Sequence, residues 1–221
     1  MADEVLTEIR GRLMIITLNR PEVMNAVNMA VAEQLAAAMD EMDNAPEVSC
    51  GVLTGNGRGF CAGMDLKAFV DGGLPRLPGR GFGGIVEQPP KKPVVAAVEG
   101  FALAGGLELA LACDLLIASD DAQLGDTHGQ WGLVPIWGMS VRLPERIGRS
   151  RANASMFTSR RIPATQAAET GLVARVCAAS DPYTSVAELA AEITRNSWGT
   201  NRIDKALLRA NAERSRSDAL L

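Results

Sequence analysis

The chain has 221 residues, enough for one full domain with a core that needs no disulfide or metal staple. Hydrophobic residues make up 47% and charged residues 22%, which excludes a disordered, collagen-like or mucin-like chain. Against 26 acidic residues stand 22 basic ones, a net charge of −4, so no basic nucleic-acid footprint is expected.

The N-terminus, MADEVLTEIRG, lacks the basic and apolar regions of a signal peptide. Residues 5–10 and 12–18 read as two strands joined at Gly11. Asn19-Arg20-Pro21 ends the second, because proline cannot donate to a ladder. Asn28 to Asp43 is rich in Ala, Leu, Met and Gln and reads as a helix capped by Asn28. Ser49–Thr54 reads as a short buried strand, followed by the glycine turn GNGRGF. Residues 71–93 concentrate Gly and Pro and predict a mobile surface loop or lid.

Val94–Val98 is a buried-type strand, Gly105-Gly106 precede a compact helix, LELALA, and Asp114–Ser119 returns as strand. Val94 to Ala118 is the most apolar stretch, yet Glu99, Glu108 and Asp114 argue against a membrane span. Past Pro144 the signals are helical at Arg151–Ser159, Ala164–Thr170, Ser185–Asn196 and Asn201–Ser215, with one strand at Val173–Cys177. The expectation is an α/β core with a helical C-terminal region, soluble and cytoplasmic. The four cysteines, Cys50, Cys61, Cys113 and Cys177, form no C-x-x-C pair and read as reduced core filler.

Several features bear on chemistry. Glu108 has only apolar near neighbours in ALAGGLELALACD, and a helix apolar all round is normally buried. A buried carboxylate must be paired, hydrogen-bonded or protonated. It is either a structural glutamate satisfied by an arginine or a general acid/base tuned by desolvation. Gly105-Gly106 opens the helix with main-chain N–H groups that side chains do not shield; these either allow close packing or stabilise an oxyanion. In FCAGMDL, Asp65 is a candidate cap for LKAFV, which leaves the Met64 N–H as a second donor, although an ordinary turn has the same letters. His128, the sole histidine, cannot build a histidine-rich metal site. It is structural or catalytic, and Asp126, Thr127 and Gln130 make its surroundings polar. No G-x-S-x-G and no phosphate-binding P-loop is present.

Five segments in order are ITLNRPEVMNAV (16–27), GNGRGFCAGMDLKAF (55–69), KKPVVAAVEGFALAGGLELALACDLLIAS (91–119), AQLGDTHGQWGLVPIWGMSVRLPERIG (122–148) and AAETGLVARV (167–176). Together they resemble the crotonase (enoyl-CoA hydratase/isomerase) superfamily. The resemblance implies an α/β fold of ββα turns in a superhelix, with two roughly perpendicular sheets in a core over 1–178. A short helical region over 179–221 would then serve trimerisation or act as a lid. It also implies homotrimers, or hexamers as dimers of trimers, and acyl-CoA thioester substrates. No cofactor or metal is implied beyond the coenzyme A carried by the substrate, and no nucleic-acid or membrane partner.

By motif, the oxyanion hole would be the backbone N–H groups of Met64 and Gly105. Coenzyme A would lie along Met24, Ala26, Ala62 and Lys67. The basic residue that often follows the NRP proline in the family is Glu22 here. Hydratases of the family use two glutamates; Glu108 matches the first, and His128 occupies the place of the second. The implied reaction is addition of water to a trans-2-enoyl-CoA. Glu108 would deprotonate the water, and His128 or water would protonate Cα. Isomerisation, another acyl-CoA reaction (dehydration or hydrolysis) and non-catalytic acyl-CoA binding are the alternatives. Trp131 and Trp137 either line the acyl pocket or fill the core.

Overall fold

In a computed structural model, residues 3–179, 182–212 and 214–219 are described. The N-terminal hairpin pairs β1 (Val5–Arg10) with β2 (Leu13–Leu18) in antiparallel register, Val5 opposite Leu18, and turns through Gly11. Helix α1 (Met29–Asn44) starts where Asn28 accepts the Val31 N–H at 2.8 Å, as expected of that cap. It returns the chain to β3 (Cys50–Gly55), parallel to β2. Gly51 leaves room for α1 above the sheet: a Cβ there would lie 2.3 Å from the Met42 sulfur, so the Met42 side chain would have to move.

The short helix α2 (Leu66–Val70) follows, then a hairpin of β4 (Arg76–Leu77) and β5 (Gly81–Phe82). The remaining chain runs β6 (Val94–Val98), β7 (Phe101–Leu103), α3 (Gly105–Ala112), β8 (Leu115–Ser119) and β9 (Gln123–Gly125). After these come α4 (Met139–Ile147), α5 (Arg149–Thr158), β10 (Ile162–Pro163), α6 (Ala164–Glu169) and β11 (Arg175–Cys177). The helices α7 (Pro182–Arg195), α8 (Trp198–Asn211) and α9 (Arg216–Ala219) complete it. The helix expected over 201–215 thus begins earlier and ends at Asn211; residue 213 lies outside the described residues.

A large sheet has the order β1-β2-β3-β6-β8-β11, parallel from β2 onward. A smaller one has the order β10-β9-β7. The chain passes from the large sheet to the small one and then into a helix, twice in full: β6-β7-α3, and β8-β9 ahead of α4. An earlier turn is abbreviated, with β3 followed only by isolated bridges, Cys61 to Ala102 and Met64 to Val27, before α2. Alternation along the large sheet separates two cores. Leu53, Ala96, Val98, Leu116 and Ala118 join the main core with α1, α3 and α4. Cys50, Val52, Val95, Ala97 and Ile117 point the other way, where Val186 and Ala190 of α7 cover them. All four cysteines are buried, and burial pushes the Cys50, Cys61 and Cys113 thiols up to about 12.

Three sequence expectations need correction. Residues 71–93 are not simply a surface loop: positions 81–86 are buried, with Phe82, Ile85 and Val86 in the main core. Glycines there let the backbone turn tightly under those side chains, so punctuation and burial coexist. The glycine pair does not precede α3 but forms its first turn. A helix spans Pro144, which sits within α4 and leaves Ser140 without the usual i+4 donor. Strands β7 and β9, of three residues each, are too short to show periodicity in sequence.

Candidate active site

Three backbone turns converge on a cavity of about 590 Å³. The first is held by Asn25, which is buried; Met24 and Asn25 are both left-handed, at φ 57° and 55°. The Asn25 amide satisfies the strained turn: its Oδ1 accepts from Arg20 N, and its Nδ2 donates to the Asn56 and Gly59 carbonyls at 2.9 and 2.8 Å. Ala62 N–H donates to Met24 O at 3.0 Å, tying this turn to the second. Arg20 reinforces the junction through Ala26 O at 2.6 Å and Asp65 at 2.9 Å. Burial alone would raise the Asp65 pKa, but the Ala68 N–H that it caps and the Arg20 guanidinium hold it below the ordinary value.

In the second turn, Val27 N–H donates to Gly63 O and Asp65 N–H donates to Val27 O, at 2.8 and 2.9 Å. The Met64 N–H between them has no protein acceptor among the described residues. In the third, Ala104 adopts φ 48°, ψ −122°, a conformation rare for a residue with a Cβ, while its N–H donates to Gly125 O at 3.0 Å. The next N–H, of Gly105, also lacks a protein acceptor among the described residues. The two turns abut. A Cβ on Gly63 would lie 3.2 Å from Gly105 N, and one on Gly106 would lie 2.2 Å from Cys61 O. Both Met64 and Gly105 line the cavity, so two free donors face one space, and Gly105 adds the N-terminal dipole of α3.

Glu108, one turn into α3, has no exposed surface. Its partner is not an arginine. Oε1 accepts the backbone N–H groups of Trp137 and Met139 at 2.8 and 3.0 Å, from the segment leading into α4. Oε2 has no hydrogen-bond partner among the described residues; His128 Nε2 stands 3.7 Å from it. Burial pushes the Glu108 pKa up, and the Met139 N–H, the His128 charge and the Trp137 N–H offset part of that rise. Glu108 is not on the cavity wall. His128 is, and its ring stands beside the carboxylate.

On its other side, His128 Nδ1 is 2.6 Å from Asp126 Oδ1, the same oxygen that accepts the His128 backbone N–H at 3.1 Å. Asp126 is buried and was not singled out as a site residue from sequence; an Asp two positions before a buried His was the available signal. Of the expected coenzyme A residues, Met24, Ala26 and Ala62 line the cavity. Lys67 does not: it is exposed on α2, between the wall residues Leu66 and Phe69. Glu22 lies at the wall instead. Trp137 lines the cavity while stacking on Phe82, with centroids 5.6 Å apart, so it serves wall and core together. Trp131 lines the cavity too, and 67% of it is exposed.

The arrangement places two main-chain donors, a hidden carboxylate and a histidine around one largely apolar space. The chain matches the family model for enoyl-CoA hydratase/isomerase over residues 8–220. It is 35% identical to the probable enoyl-CoA hydratase echA8 of Mycobacterium bovis, over 99% of this chain and 86% of that one. It superposes on the crystal structure of enoyl-CoA hydratase EchA1 from Mycobacterium marinum with a TM-score of 0.96 and 42% identity, covering 99% of this chain and 86% of the other. An enoyl-CoA hydratase structure from Mycobacterium tuberculosis gives the same TM-score and coverage at 43% identity. Fold, ordered motifs and paired free amides agree with these matches: the chain belongs to the enoyl-CoA hydratase/isomerase, or crotonase, family.

Proposed function

We propose that the protein is an enoyl-CoA hydratase, a lyase that adds water across the double bond of a trans-2-enoyl-CoA. The observation that carries this reading is Glu108 Oε2, without a hydrogen-bond partner among the described residues, standing beside His128 Nε2, the histidine itself lining the cavity that Met64 and Gly105 also line. The thioester oxygen accepts from Met64 and Gly105 N–H. A water at His128 Nε2 attacks Cβ. As the O–Cβ bond forms, the π pair moves through Cα to the thioester oxygen, giving an enolate that the two donors stabilise. The proton of the water passes to the Glu108–His128 pair, and the pair returns a proton to Cα. Each such proton transfer contributes about 10²- to 10⁴-fold in rate, and one oxyanion donor contributes about 3–4 kcal/mol.

The role differs in one respect from that expected from sequence. Because Glu108 is sealed behind His128, its traffic with the cavity runs through the imidazole. Coenzyme A extends past Met24, Ala26 and Ala62, with Lys67 meeting the diphosphate beyond the wall, and it is the only cofactor moiety the reading needs. Assembly as a trimer or hexamer is part of the reading; the exposed Trp198, Ile203, Leu207 and Leu208 of α8 supply apolar surface for it. Among the described residues, no helix is long and apolar enough to cross a membrane; we place the enzyme in the cytoplasm.

Crotonyl-CoA tests the reaction. Loss of the enoyl-thioester absorbance without release of free thiol is the expected result. Thiol release, or no change despite binding of the ester, would overturn it. His128→Ala should lower kcat by about 10²- to 10⁴-fold.

A further inference from the structure

The histidine that stands where hydratases of the family carry their second glutamate has a buried carboxylate of its own. We propose that Asp126 is the positioning residue that makes His128 a proton-transfer group: it holds the proton of the imidazole on Nδ1 and so commits Nε2 to the cavity. The inference rests on the hydratase reading for its kinetic consequence, but not for its structural one.

The geometry leaves the ring little choice. Nδ1 lies 2.6 Å from Asp126 Oδ1, a distance at which one of the two must carry a hydrogen. Asp126 is an acceptor when ionised, so the hydrogen belongs on Nδ1. In the neutral ring Nε2 is then a bare acceptor, and in the charged ring it is a second donor. That nitrogen is the one beside Glu108 Oε2, at 3.7 Å. The same Oδ1 accepts the His128 main-chain N–H at 3.1 Å, so ring and backbone are clamped by one oxygen. Asp126 and His128 are both buried, which keeps bulk water from competing for Nδ1. A glutamate at position 128 would need no such partner; a histidine, with two tautomers, does. The charged groups facing the ring are Asp126 from its own segment and Glu108 from α3.

A structural alternative exists. Asp126 could merely cap the short turn that begins at His128, through its bond to the backbone N–H. Asp126→Asn separates the two roles. An amide oxygen in the place of Oδ1 can still accept the backbone N–H and the ring N–H, but it carries no negative charge to hold the hydrogen on Nδ1. Because the chain has a single histidine, nitrogen-15 NMR reads its tautomer without assignment. The wild-type protein should give the Nδ1–H pattern with a strongly downfield ring proton. Asp126→Asn should lose the strongly downfield ring proton at nearly unchanged melting temperature. In the enzyme assay, kcat for crotonyl-CoA should fall about 10²- to 10⁴-fold with KM changed less than threefold.

A wild-type ring protonated on Nε2 in its neutral form overturns the proposal, whatever the enzyme's substrate. So does an Asp126→Asn protein that loses the downfield ring proton yet keeps kcat on a turned-over enoyl-CoA. If no enoyl-CoA is turned over, the hydratase reading fails alone, and the wild-type spectrum still decides the tautomer. Should Asp126→Asn not fold, Asp126→Glu is the second variant. It keeps a carboxylate acceptor at a displaced position, so it should retain the Nδ1–H tautomer and recover more activity than His128→Ala. Activity no higher than that of His128→Ala, with the tautomer retained, counts against the proposal.

Discussion

Glu108→Gln isolates the charge of the buried carboxylate from its architecture. The glutamine carbonyl can occupy the place of Oε1 and keep the N–H groups of Trp137 and Met139 satisfied, at 2.8 and 3.0 Å in the parent. Its amide nitrogen takes the place of Oε2, which has no hydrogen-bond partner among the described residues of the parent. Only the ability to accept a proton is lost. The rate should fall about 10²- to 10⁴-fold, equivalent to roughly 3–5 kcal/mol of barrier. Binding of the ester should hardly change, since Glu108 is not on the cavity wall.

Stability should move the other way. Burial raises the pKa of Glu108 in the folded state, so between its ordinary and its raised value the native protein binds more protons than the unfolded chain. The contribution of this group is therefore greatest at low pH and is lost as pH rises through that window; glutamine removes the loss. At neutral pH the variant should melt at or above the wild-type temperature. Glu108→Ala instead strands two N–H groups and should cost about 2–6 kcal/mol, from 1–3 for each buried unsatisfied donor. Steady-state kinetics on crotonyl-CoA with thermal melts across pH 4–8 check both, the pH range being set by roughly where carboxyl groups with raised pKa titrate. A Gln variant that retains more than half of kcat, or that melts as low as the Ala variant, refutes the reasoning.

Other perturbations address the scaffold around the site. Gly63→Ala adds a Cβ 3.2 Å from Gly105 N at a φ of 113°, so it should abolish most turnover and lower stability by about 1–3 kcal/mol, read by kinetics and by urea melts. Ala104→Gly relieves the φ 48° strain and should raise stability by about 1 kcal/mol net of glycine entropy. It should lower kcat because the Gly105 N–H loses its fixed aim; equal or faster turnover would show that the strain does not serve the oxyanion hole. Lys205→Ala breaks the bonds of Nζ to Lys92 O and Asp114 Oδ2, at 2.9 and 2.6 Å, which fasten α8 to the strand edge at Val94. It should cost about 3 kcal/mol in chemical denaturation, the low end for a buried pair because Asp114 is 30% exposed.

Much of the molecule was legible along the chain because its signals are local. Asn28 and Asp65 cap helices by bonds that span three residues, and the sequence placed both. The apolar run around Glu108 marked it as buried, and the glycines at 63, 105 and 106 marked two backbone turns with exposed amides. What the local signals could not carry was the identity of partners far along the chain. The Glu108 acceptors are filled from positions 137 and 139, by main-chain atoms that have no sequence signature, rather than by the arginine that charge pairing suggested. The interior of 71–93 looked like solvent-exposed punctuation, yet Phe82 is buried against Trp137. Membership of the cavity wall was also a tertiary matter: His128 gained a face on it and Glu108 did not, although both were expected in one site. Sequence determines which backbone conformations and which side-chain periodicities are affordable over a few residues. Only the packing of α3 against the turn before α4 decided which buried groups meet, because desolvated polar atoms take whichever donors the closed fold brings within reach.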